Sequence, residues 1–170
     1  MSLIFLTTGT RAPFDRLVRI VDHWAEKNPG VQIVAQIGTG RYRPRHIEAT
    51  RFLCRGDYQV LARDCRLMIA HAGMGSVLSA LEHGKPLVMM PRNDLHGECT
   101  NDHQFGTARR ISGLPGVYTV HNAAQLIQRL DNHHELRAPD QMQASPRQLE
   151  LAQFIMGFIK QLPQYESLEN

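Results

Sequence analysis

HAGMGSVLSALEHGKPLVMMP, residues His71–Pro91, follows the apolar run Leu67–Ala70 and itself closes on a second one, Leu87–Met90. Four consecutive apolar residues bounded by glycine or proline read as a buried strand. The residues between the two runs, Ser76–His83, read as a helix. Strand, glycine turn, helix and strand in that order is the crossover that joins parallel neighbours in one sheet. Working outward, Leu3–Thr7 is a further strand, followed by a glycine turn and a helix with Phe14, Leu17, Val18, Val21 and Trp24 at helical spacing. Val31–Ile37 and Gly116–Val120 supply two more strands. Tyr58–Asp64, Asn101–Ile111 and Ala123–Leu130 supply helices. The expected fold class is therefore α/β, a Rossmann-like parallel sheet with helices on both faces. Ligands of such sheets bind beyond the carboxyl ends of the strands. Here those ends are the loops Thr8–Thr10, Gly38–Gly40, His71–Gly75 and the chain from Pro91 onward.

The 170 residues, 42% of them apolar, suit one domain spanning 1–170 with a sizeable core. No stretch approaches the roughly 20 consecutive apolar residues that cross a bilayer. The short apolar start LIFL has no basic residues before it, so it does not read as a signal peptide, and a cytoplasmic location is expected. Cys54, Cys65 and Cys99 are an odd number at spacings that fit neither a disulfide framework nor a zinc knuckle. Arg41, Arg43, Arg45, Arg51 and Arg55 form a basic segment in a chain of formal charge +3. It is either a solvated surface or an attractor of phosphates, acidic sugars or an anionic membrane. With only Tyr42 and Phe52 as its aromatics, it lacks the interleaving of a single-strand binder, and no nucleic-acid partner is expected.

The chemistry concentrates in the opening of the quoted stretch. Gly73 and Gly75 leave backbone N–H groups open to close approach, and a helix beginning near Ser76 aims its free N–H groups and positive dipole end at the same spot. A phosphate group fits there, with the Ser76 hydroxyl as a further donor. The purely structural alternative is that the glycines only permit a tight turn. There is no GxxxxGK[ST], the third glycine of GxGxxG is replaced by Leu78, and no acidic residue stands clearly about 20 positions on, so ATP and NAD recede and no cofactor is expected. Glu82, about 9 Å beyond Ser76 along a helix axis, could accept hydrogen bonds from ribose hydroxyls, or be an ordinary exposed glutamate. His96, Glu98, Cys99 and His103 lie within eight positions, but a metal site needs three or four convergent ligands, and none is expected. The H-x-E of zinc deaminases occurs without a following PCxxC, and no GxSxG appears.

HAGMGS, ALEHGKPLVMMP and NDHQ (Asn101–Gln104), in that order, resemble the donor-binding lobe of GT-B glycosyltransferases related to the peptidoglycan N-acetylglucosaminyltransferase MurG, the family 28 C-terminal domain. The N-terminal FLTTGTRAPFDRLVR narrows the resemblance to stand-alone donor subunits of two-component enzymes, those of dolichol-linked oligosaccharide synthesis and the PssE type of exopolysaccharide synthesis. It extends over residues 2–130. It implies that Gly73, Met74, Gly75 and Ser76 surround a UDP diphosphate, that Glu82 binds the ribose, and that Asn101, His103 and Gln104 address the donor sugar. Gly9 and Thr10, with Thr8 and with Phe14 behind them, would face the cleft toward an acceptor lobe. Arg11 and the loop 92–100 depart from the pattern and leave the sugar open.

The implied activity is transfer of a sugar from a UDP-sugar to a lipid-linked saccharide acceptor in polysaccharide or oligosaccharide biosynthesis. The general base would lie on a membrane-associated, acceptor-binding partner subunit that recruits this chain to the inner face of a membrane. A non-catalytic nucleotide-sugar-binding or regulatory module is the alternative, and a complete transferase formed by homo-oligomerisation a third reading. Residues 145–162 read as a C-terminal amphipathic helix with Leu151, Phe154, Ile155, Phe158, Ile159 and Leu162 on one stripe, able to pack on its own domain or on another chain.

Overall fold

The computed structural model describes residues 2–93, 96–98, 111–139 and 157. Six strands form one sheet in the order β3-β2-β1-β4-β5-β6: β1 Ser2–Thr7, β2 Val31–Gln36, β3 Glu48–Thr50, β4 Leu67–His71, β5 Leu87–Met90 and β6 Val117–Thr119. Every pairing is parallel. Among the described residues three helices connect strands, α1 Asp15–Glu26, α2 Arg55–Asp64 and α3 Met74–Glu82, and a fourth, α4 Ala123–Asp131, follows β6. Among the described residues no helix is long and apolar enough to cross a membrane.

The period of two along each strand sorts the core into two layers. Ile4, Leu6, Ile33, Ala35, Ile69, Val88 and Met90 face α1 and α4, whose Leu17, Val21, Trp24, Leu126 and Leu130 are buried against them. Phe5, Met68, Ala70, Leu87 and Met89 face the other way, onto Ala62 of α2 and Val77 and Ala80 of α3. With both faces covered, the strands need no polar side, so they appear in the sequence as unbroken apolar runs. The Trp24 indole N–H, on α1, donates to Asp131 at the end of α4 at 2.8 Å, tying the two helices of one layer.

β3 was not foreseen: EAT, exposed at all three positions, lies inside the arginine-rich segment. Two carboxylates of α1, seven residues apart and so on one side of the helix, hold the preceding loop. Asp15 accepts the Arg41 N–H at 2.9 Å, and buried Asp22 accepts the N–H groups of Arg45 (3.0 Å) and His46 (2.8 Å) and the Tyr42 hydroxyl (2.7 Å). Burial would raise the Asp22 pKa, but the His46 N–H, the Tyr42 hydroxyl and the Arg45 N–H together hold it below the ordinary carboxylate value. Gln36 then knits the sheet edge, its amide donating to Thr7 Oγ1 and its carbonyl accepting the Leu53 N–H.

The expected helix around 58–64 begins earlier, at Arg55, with the Cys54 Sγ accepting the Asp57 N–H as its cap. The helix 145–162, apart from helical, exposed Gly157, and the helix expected over 101–111, apart from helical Ile111, lie outside the described residues.

Candidate functional site

Strand order reverses between β1 and β4, whose neighbours diverge to opposite edges of the sheet. That divergence opens a crevice above their carboxyl ends. Thr8–Thr10 leaves β1 there and Ala72–Gly75 leaves β4. Gly9 has φ +74, a left-handed torsion that glycine adopts without cost. A Cβ on Gly9 would stand 2.6 Å from His71 Cε1, and one on Gly73 only 2.1 Å from His71 Nε2. The glycines of both loops are thus required by one imidazole wedged between them. The sequence places His71 at the head of a candidate ligand loop but shows no role for its ring. Its contact with Gly9, 62 positions away, is set by topology.

His71 Nδ1 is buried without a hydrogen-bond partner. Desolvation, then the charge of Arg92, push its pKa down to about 4, with the Thr7 backbone pulling weakly the other way. The ring is neutral near pH 7 and so has one N–H donor and one bare nitrogen.

Gly73 is the N-cap of α3, so the helix starts at Met74 rather than near Ser76. No side chain caps it, which leaves the first N–H groups of the helix and the positive end of its dipole facing the crevice. Gly75 sits inside the first turn, exposed, with no positive φ and nothing within 4 Å of an added Cβ. No packing among the described residues explains a glycine at this place; free space for an incoming group does. Ser76 is buried instead of lining the lip. It and Ser79 stand beside the Tyr58 phenol, whose pKa rises through desolvation against their hydrogen bonds. Ser76 can therefore offer its backbone N–H more readily than its hydroxyl.

Of the sequence-predicted residues, the fold brings together Gly9, Thr10, Gly73, Met74, Gly75 and Ser76 at the crevice. Glu82 is separated from them. It is the exposed last residue of α3, roughly 12 Å along the axis from Met74 at 1.5 Å per residue. It reaches a ligand at the helix start only if that ligand lies back along α3. Asn101, His103 and Gln104 fall outside the described residues. No group of three or more metal-binding side chains converges among the described residues.

Two arginines were also missed. Arg92, buried after β5, donates to the carbonyls of Thr8 (2.5 Å) and Ala12 (2.7 Å), holding the loop after β1 in place. Arg16 of α1 makes a bidentate pair with buried Glu98, both contacts at 2.8 Å, and Glu98 also accepts the Asn93 N–H at 2.9 Å. Both guanidinium groups lie near the Phe14 ring, at 5.3 and 5.4 Å from its centre. Two concavities of the described surface lie elsewhere, one of about 410 Å³ between α1 and residues 96–98 and one of about 440 Å³ beside Arg43 and Arg51. The crevice is assigned on topology and on its free N–H donors, because one lobe of a cleft is open until a second closes it.

The glycosyltransferase family 28 C-terminal domain matches residues 3–155. The chain is 33% identical over 126 residues to the UDP-N-acetylglucosamine transferase subunit ALG13 of Mus musculus, a match covering 65% of this chain and 10% of that protein. It thus spans about a tenth of the length of the curated relatives it matches. The solution structure of ALG13 superposes with a TM-score of 0.59 at 19% identity, covering 89% of this chain and 94% of that one. MurG of Acinetobacter baumannii superposes with a TM-score of 0.59 at 16% identity, over 95% of this chain and 50% of that one. At such identities what is shared is the fold, that of a GT-B lobe.

Proposed function

Because the chain belongs to the glycosyltransferase family 28 C-terminal domain family, and so to the glycosyltransferases, we propose that it is the donor-binding part of a UDP-sugar-dependent transferase that works with a second subunit. The observation that carries this reading is the uncapped start of α3 facing the switch-point crevice, with Gly75 open and His71 neutral beside it. When the glycosidic bond of a nucleoside diphosphate sugar breaks, negative charge grows on the departing diphosphate. Fixed N–H dipoles at a helix start stabilise that charge without reorganising. The one N–H of a neutral imidazole adds a donor, and buried Arg92 raises the local potential.

In this reading Met74, Gly75 and Ser76 hold the diphosphate through backbone N–H groups, Asn101, His103 and Gln104 bind the sugar, and Gly9 and Thr10 face the acceptor side. A membrane-associated partner would bring the lipid-linked acceptor and the general base, and would hold this cytoplasmic chain at the membrane. UDP titrated into the wild type and into Gly75→Val by calorimetry tests the site. Since nothing among the described residues meets the new side chain, the variant should fold normally and lose UDP affinity by tenfold or more. A folded variant with unchanged affinity removes the helix start from the site. Transfer assays with and without the partner then separate a transferase subunit from a binding module, which stays inert in every combination.

A further inference from the structure

We propose that the face built from Arg41 to Arg55 binds an anionic lipid surface directly, independently of any partner subunit. Five arginines against the single Glu48 give these 15 residues a charge of +4, so the remaining 155 together carry −1. The chain's net positive charge therefore resides in this one segment.

Its arrangement keeps that charge available. Two carboxylates of α1, Asp15 and Asp22, take the backbone N–H groups of Arg41, Arg45 and His46 rather than guanidinium groups. Arg41, Arg43, Arg45, Arg51 and Arg55 are all exposed, and among the described residues none has a carboxylate within salt-bridge distance. The loop is thus held rigid from beneath while its cations point to solvent, which reduces the ordering cost of binding. Arg43 and Arg51 stand at a depression of about 440 Å³ whose other walls include Pro44 and Ile47.

The apolar component selects lipid among anionic partners. Phe52 is 50% exposed and Val60, on the adjoining α2, 46%. A bulky apolar side chain set among arginines is the composition of an interfacial anchor, charge meeting headgroups and the ring entering the acyl boundary. A nucleic-acid face would instead need several free aromatic platforms. The segment's other aromatic, Tyr42, is committed, its hydroxyl to Asp22 at 2.7 Å and its ring to Arg19 at 5.0 Å. Ile37, at the carboxyl end of β2, lines the same depression, so this face adjoins the crevice end of the sheet.

The proposal does not depend on the donor-site reading, since a chain unable to bind UDP could still satisfy it. The test is co-sedimentation of the full chain with vesicles of phosphatidylcholine alone and of phosphatidylcholine containing phosphatidylglycerol. Binding is expected to the anionic vesicles only and should weaken steeply as salt is raised. Arg43→Ala with Arg51→Ala should lower it about 25-fold, at roughly fivefold for each arginine near a charged surface. Phe52→Ser should lower it several-fold while leaving the salt dependence unchanged. Because these side chains are exposed and make no ion pair among the described residues, Arg43 donating only one long hydrogen bond, 3.5 Å, to the Gly40 carbonyl, the thermal unfolding of each variant should match the wild type. Equal binding to neutral vesicles, no binding at low salt, or full retention by the double arginine variant overturns the proposal. So does a single-stranded RNA oligomer that binds more tightly than the vesicles and displaces them.

Discussion

Lowering the pH from 7 to 4 should destabilise the wild type by an amount assignable to His71. Its folded pKa is about 4 against an ordinary 6.5. Between those values the unfolded chain holds a proton at this ring that the folded chain does not, so stability rises with pH through the window and is fully present above 6.5. As pH falls toward 4, up to about 3 kcal/mol is lost, from 2.5 units at 1.36 kcal/mol each. That figure is a ceiling, because the ring is only partly shielded and the crevice is open to water. Urea unfolding followed by the fluorescence of Trp24, the chain's one tryptophan, buried between α1 and α4, measures it. Carboxylates titrate in the same range, so the control is His71→Gln, which keeps a polar side chain between Gly9 and Gly73 but cannot titrate. Its packing offset is independent of pH. The difference between the two curves should therefore be flat above pH 6.5 and slope between 6.5 and 4. Parallel curves would refute the placement of a neutral, desolvated imidazole at the crevice.

Glu98→Gln should cost about 1.5–3 kcal/mol of stability in urea, because it removes the charge from a bidentate contact to Arg16 that is largely out of solvent; a loss within measurement error would make the pair a surface ornament. Glu82→Ala should weaken UDP binding by roughly tenfold if two ribose hydroxyls lose a charged acceptor. Unchanged affinity by calorimetry, with Gly75→Val still impaired, would place the nucleoside away from the end of α3.

The sheet was legible wherever strands are buried on both sides, as in LIFL, LMIA and LVMM, because unbroken apolar runs between turn residues have few other solutions. β3 was not, since Glu48-Ala49-Thr50 has neither an apolar run nor alternation and exists through β2 pairing and the anchoring of its loop on Asp15 and Asp22. The start of α3 was placed late because a glycine in the first turn disfavours helix by about 1 kcal/mol. Burial of Val77, Leu78 and Ala80 overrides that local preference. Glycines in the right loops pointed to the crevice, yet the reason for Gly9 and Gly73 is the His71 ring. Spacing cannot reveal a contact between two loops that only the strand order brings together.

Arg16 and Arg92 connect these parts and were invisible for the same reason, their partners lying 82 and 84 positions away. Arg92 occupies carbonyls of Thr8 and Ala12, and Arg16 grips Glu98, whose carboxylate in turn holds the Asn93 N–H. Phe14 lies against both guanidinium groups. The loop after β1, the start of α1 and the chain after β5 are thus bound to one another, and a shift in any one must break a charge-assisted hydrogen bond in another. Residues 93–98 lead along the chain to Asn101, His103 and Gln104, proposed above to bind the sugar, while Thr8 and Gly9 border the crevice proposed to hold the diphosphate. On the proposed donor site, the Arg16–Glu98 pair acts by fixing where that chain begins. Loss of the pair should show first in discrimination between donor sugars and only secondarily in affinity for UDP itself.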